Sequence, residues 1–144
     1  MFSDCVLSGL DMRGMQFNNA IFWNAVLEQM DMQSAGVCFG EFQGAQFINC
    51  NMDHLCADEA DFKDCSFDGC SLRGAKMLHC NLSNSHFRGT LLDNANLQSS
   101  CIEGMKVSEE AISRADTRNV SFDEADWIAQ ASPDYAPTME MGGM

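Results

Sequence analysis

The chain reads as a solenoid of short stacked repeats. Every fifth residue from Phe2 to Trp127 falls at one phase, and 24 of those 26 positions are Phe, Leu, Met, Ile, Val or Trp, although these types make up only 43 of 144 residues. The exceptions are Ala57 and Thr117. Two residues before each apolar position, 18 of 25 residues are Ala, Cys, Ser, Thr or Gly. A helix repeats its apolar residues at a spacing of about 3.6 and a strand at about 2. A rigid spacing of five wanders around either surface, so the pattern demands a repeat architecture.

The unit is small-x-apolar-x-x. Segments such as Ala60-Asp61-Phe62-Lys63-Asp64, Cys70-Ser71-Leu72-Arg73-Gly74 and Ala95-Asn96-Leu97-Gln98-Ser99 resemble the pentapeptide repeat family, in one register from residue 1 to about 127. The resemblance implies an all-β fold, a right-handed quadrilateral parallel β-helix in which four pentapeptides make one coil and each supplies one side. The residues support that reading independently, because positions 20 apart form columns of like side chains. One column is Phe2, Phe22, Phe42, Phe62, Leu82, Ile102 and Phe122. The next is Leu7, Leu27, Phe47, Phe67, Phe87, Val107 and Trp127, and a third is Met12, Met32, Met52, Leu72, Leu92 and Ile112. About six coils at the inter-strand spacing make a rod roughly 29 Å long.

Local departures predict where the coil changes. Phe2 is already in register, so the N-terminal end of the Phe column has no lid, and outward Val6, Ile21, Trp23 and Val26 make an apolar face suited to a subunit, domain or partner. At His54-Leu55-Cys56-Ala57 the large and small positions invert, which suggests that Leu55 fills the space Ala57 leaves and predicts a bulged coil. Glu110 falls at an inward position, where an unpaired carboxylate costs several kcal/mol, so the coil is expected to break there. Ser108 to Ala115 reads as a short capping helix over about 108–116, with Ser108 as N-cap and two acids in the first turn. The β-helix with its cap is assigned to 1–131. The stretch 132–144, with two Pro, two Gly and no period, is assigned to a flexible tail.

Composition predicts one soluble, cytoplasmic domain without a membrane-spanning or secretory segment. Five of the eight Cys, at 5, 50, 65, 70 and 80, sit at the small inward position and read as core residues. Cys38, Cys56, His79 and His54 share or flank one outer side, but no CxxC or HxxxH spacing supports zinc, and neither metal nor cofactor is expected. No phosphate loop, GxSxG elbow or triad is present, which predicts a non-enzyme. Glycines at 9, 14, 44, 69, 74, 89 and 104 occupy the fifth residue, where the chain turns a corner.

Charge carries the functional expectation. With 21 acids against 8 bases the net is −13, which disfavours nucleic acid as a ligand and favours basic clefts. Asp53, Asp58, Glu59, Asp61, Asp64 and Asp68 form one acidic group, taken as a partner-binding face, although Asp or Asn before the apolar residue also suits turns and solvation. The family resemblance implies DNA mimicry: some members occupy the DNA-binding groove of DNA gyrase or topoisomerase IV, and some form homodimers through a C-terminal segment, here Ser121 to Ala131. This chain lacks the looped insertions of the protective members. The alternative is a protein-interaction scaffold or effector module binding through the apolar face of Val6, Ile21, Trp23 and Val26.

Overall fold

The structure is a computed structural model and describes residues 1–120. Six short parallel strands stack in sequence order, β1 (Val6–Ser8), β2 (Val26–Glu28), β3 (Gln46–Ile48), β4 (Ser66–Asp68), β5 (His86–Arg88) and β6 (Lys106–Val107). Each pairs with the next at an offset of 20 residues, as in Leu7↔Leu27 and Phe47↔Phe67. Three further ladders of parallel bridges run at the other phases, among them Asp11↔Asp31, Gln16↔Gly36 and Ile21↔Glu41. The chain is thus a four-sided β-solenoid, and β1 to β6 span five turns. We number the sides by their columns: the first carries Phe2 to Ile102, the second Leu7 to Val107, the third Met12 to Ile112 and the fourth Phe17 to Thr117.

Like side chains stack through the core. Phe22 and Phe42 lie 4.9 Å apart and 5° from parallel, and Phe67 and Phe87 lie 4.7 Å apart at 9°, matching the inter-strand spacing. Neighbouring columns meet edge-on, with Phe62 and Phe67 at 5.6 Å and 60°, a favourable ring arrangement. The small inward positions do more than save space. The side chains of Cys50, Cys65, Cys70, Cys80, Thr90 and Ser100 each donate to the carbonyl 23 residues earlier, at 2.5 to 3.2 Å. Buried thiols and hydroxyls are thereby satisfied against the coil below.

Corners follow the sequence expectation. On three sides the amide after the corner donates back to the apolar residue, as Cys65 N to Phe62 O at 3.1 Å, and the third residue of the turn takes a positive φ, +61° at Asp64 and +75° at Gly44. The residue before the apolar position closes an Asx turn: Asp61, Asn81 and Asn96 each accept from the amide two residues on.

One expectation needs correction. Residues 54–57 are not bulged: Cys56 bridges Gly36 and Lys76 in register, and Leu55 and Ala57 are both fully buried. They occupy successive inward positions, so Leu55 fills the volume Ala57 vacates without moving the backbone. The coil does break at Glu110 as expected, but on one side only. Helix α1 (Glu109–Ser113) replaces one side of one coil, with the Ser108 hydroxyl accepting from Ala111 N at 2.9 Å. Glu110 turns out to solvent while Ile112 caps the third column, and the ladder resumes at Asn96↔Asp116. The remainder of the domain assignment, the end of the unit assigned to 1–131 and the tail from Ser132, lies outside the described residues.

At the N-terminal end Met1, Leu10 and Met15 are exposed, and Phe2, Leu7 and Phe17 line an apolar hollow of about 290 Å³.

Candidate partner-binding surface

Because a coil takes 20 residues, the acids from Asp53 to Asp68 span most of one turn and do not share a face. Asp53 projects from the third side, Asp58 and Glu59 from the fourth, Asp61 and Asp64 from the first and Asp68 from the second. They form a belt around the rod. Three of them also hold backbone. Asp53 accepts from Arg73 N at 3.0 Å and from the Ser71 hydroxyl. Asp58 accepts from Leu78 N at 3.1 Å, and Asp61 from Lys63 N at 3.0 Å. Asp68 lies 4.0 Å from Arg88, a loose and exposed pair.

Charge does concentrate on a face, but along the rod. Among the described residues the first side carries Asp4, Glu41, Asp61, Asp64 and Glu103 against Lys63 alone. The second side carries Glu28, Asp68 and Glu109 with Arg88 and Lys106. On the third side Asp11, Asp31, Asp53, Asp93 and Glu110 stand with Arg13, Arg73 and Arg114, and on the fourth Asp58, Glu59 and Asp116 stand with Lys76 and Arg118; Arg13 pairs with Asp11 at 2.8 Å and Arg118 with Asp116 at 2.7 Å. Those guanidiniums hold both carboxyls down at about 2, chiefly through side-chain hydrogen bonds.

The apolar residues divide between two sides. Val6 and Val26 are register partners on the second side, Val6 strongly exposed and Val26 half-buried. Ile21 and Trp23 stand on the first side. Trp23 is 39% exposed, and its indole N–H donates to Glu41 at 3.1 Å. With Asn24, Gln43, Gly44 and Asp64 it lines an open depression of about 460 Å³, and Gln43 reaches on to Asp61 at 2.8 Å. The aromatic and acidic elements, read from sequence as separate surfaces, therefore meet on the first side. Only the 20-residue register brings Trp23, Glu41 and Asp64 together.

The cysteines are mostly core. Burial pushes the Cys65 thiol well above its ordinary range and that of Cys80 up to about 12, and Cys70 is raised by its hydrogen bond with Cys50 and by burial. Such thiols stay neutral and unreactive. Cys38 and Cys56 come together on the fourth side, sulfurs 3.4 Å apart. Among the described residues no three His, Cys, Asp or Glu side chains are placed to hold a metal ion, and no helix is long and apolar enough to cross a membrane.

A four-sided parallel solenoid with an apolar core and its charged groups outside defines a repeat protein. The chain belongs to the pentapeptide repeat family: the profile of a pentapeptide repeat region matches residues 40–127, and that of pentapeptide repeats in 8 copies matches residues 2–35. Among solved structures it is similar to the pentapeptide repeat protein Rfr23 of the cyanobacterium Cyanothece 51142, at TM-score 0.59 and 14% identity over 87% of this chain and 89% of that one. It is also similar to trypsin-treated QnrB1, a plasmid-mediated fluoroquinolone resistance protein, at TM-score 0.51 and 18% identity over 99% and 97% of the two chains. A pentapeptide repeat protein of the Arabidopsis thaliana thylakoid lumen gives TM-score 0.50 and 17% identity over 80% and 66%. These likenesses establish the fold. No curated protein sequence matches the chain.

Proposed function

We propose that this chain is a non-enzymatic binding protein of the cytoplasm that presents the first side of its rod to a basic cleft. The DNA-binding groove of a type II topoisomerase, gyrase or topoisomerase IV, is the cleft it fits best. The observation that carries this is the line of five acids against one base on a single side. Glu41 and Asp61 are register partners on adjacent coils, which sets two acidic positions side by side at about the inter-strand spacing of 4.8 Å. A face of this kind draws basic clefts by long-range attraction. A protein sharing the fold, QnrB1, is a fluoroquinolone resistance protein, which points the search to the targets of that drug class, although fold alone does not transfer a role.

A second reading has its own support. Trp23 and Val6 are large apolar side chains left exposed on adjoining sides of the first two coils, which suits a scaffold that docks a protein through apolar contact. A gyrase supercoiling assay at low and high salt, run beside light scattering, separates the two. Mimicry predicts inhibition that fades as salt rises, unchanged in its salt slope by Trp23→Ala. The scaffold reading predicts no supercoiling effect and a partner interaction that is salt-tolerant and abolished by Trp23→Ala. The scattering measurement also tests for a homodimer through Ser121 to Ala131.

A further inference from the structure

We infer that Cys38 and Cys56 form a dithiol modification site on the fourth side, which a peroxide oxidant converts to a disulfide joining the second coil to the third. The sulfurs stand 3.4 Å apart, and both residues are half-buried rather than core. The placement follows from the coil. The residue after the apolar position meets the residue before it on the next coil, 18 positions later, and the same diagonal joins Trp23 to Glu41, Gln43 to Asp61 and Gln98 to Asp116. At Cys38 and Cys56 that diagonal holds two thiols. A disulfide bond is about 2.05 Å long, so the sulfurs must close by about 1.4 Å.

Of the other six cysteines, Cys5 is half-buried on the first coil, and Cys50 and Cys70 form a second thiol pair that lies in the core. Cys50, Cys65, Cys70 and Cys80 are buried and donate to core carbonyls. Cys101 is exposed and faces the Ser83 hydroxyl at 3.2 Å.

In the first step one thiolate attacks the peroxide O–O bond, giving a sulfenic acid and, after protonation, water. In the second, the neighbouring thiolate attacks that sulfur, the S–O bond breaks, and hydroxide leaves to be protonated. Two thiols and one hydrogen peroxide become one disulfide and two waters, the sulfurs losing the two electrons the peroxide gains. Burial and the hydrogen bond with Cys56 raise the Cys38 thiol, so the reaction is slow at neutral pH compared with that of a dedicated peroxide sensor.

The test treats the folded full chain with equimolar hydrogen peroxide, then denatures, alkylates and maps peptides by mass spectrometry with and without dithiothreitol. The expected result is a linked peptide pair containing Cys38 and Cys56, six rather than eight alkylated cysteines, and full reversal by dithiothreitol. Cys38→Ser and Cys56→Ser each abolish the link, and Cys101→Ser does not. Because the link closes a loop across two coils, thermal unfolding of the oxidised chain shifts upward by several degrees. Eight alkylated cysteines after peroxide, a link at any other pair, or sulfinic acid at Cys38 or Cys56 without a link would overturn the proposal.

Discussion

Buried hydroxyls and thiols show how each residue of the repeat is held by a different coil. The Ser100 hydroxyl accepts from Cys80 N at 3.0 Å and donates to Met77 O at 2.8 Å, in a site 6% exposed. Ser100→Ala strands a buried amide and is expected to cost about 1–3 kcal/mol in chemical denaturation. Two exposed carboxylates set an acid limit. Asp116 is held down to about 2 by the Arg118 guanidinium, from an ordinary 3.8. A carboxyl depressed on folding stabilises above its unfolded value and loses that contribution as pH falls through the folded one. Stability is therefore expected to decline between pH 3.8 and about 2, and Arg118→Gln should flatten that decline in a thermal-unfolding series. The small inward positions were legible from composition. Their role as donors was not, because each acceptor lies 23 residues away, an interval that matches neither the repeat of five nor the coil of 20.

The capping helix was legible in outline. Ser108 with acids at 109 and 110 marked an N-terminus, and the structure places the helix at Glu109–Ser113 with its cap bonded as expected. Ser108→Ala should cost about 1 kcal/mol, read as a lower unfolding midpoint. What the sequence hid was that a polar residue at an inward position can be met by remodelling one side alone, with the ladder intact at Asp116. The inversion at Leu55 and Ala57 was legible as an exchange of volume and misleading only as a bulge: both residues are buried and the backbone stays in register, because the core sums volume over neighbouring positions.

At the scale of the molecule, stability rests on continuous columns. Phe62 is fully buried between Phe42 and Leu82, and Phe62→Ala is expected to cost about 3–5 kcal/mol, lowering the denaturation midpoint with loss in both halves of the rod. The surface was less legible than the core. Six acids close in sequence looked like a face, but a coil wraps them around four sides, while acids far apart in sequence align on one. The account therefore stands on position rather than total charge, and one comparison tests it. Gyrase supercoiling would be measured with Glu41, Asp64 and Glu103 reversed to Lys on the first side, beside Glu28, Glu59 and Asp68 reversed to Lys on the others. Both variants change net charge equally, and circular dichroism checks that each stays folded. Loss of inhibition in the first variant and its retention in the second is the expected result. Equal inhibition by both variants, or none by the unaltered chain, would contradict the assignment of the first side to a basic DNA-binding cleft.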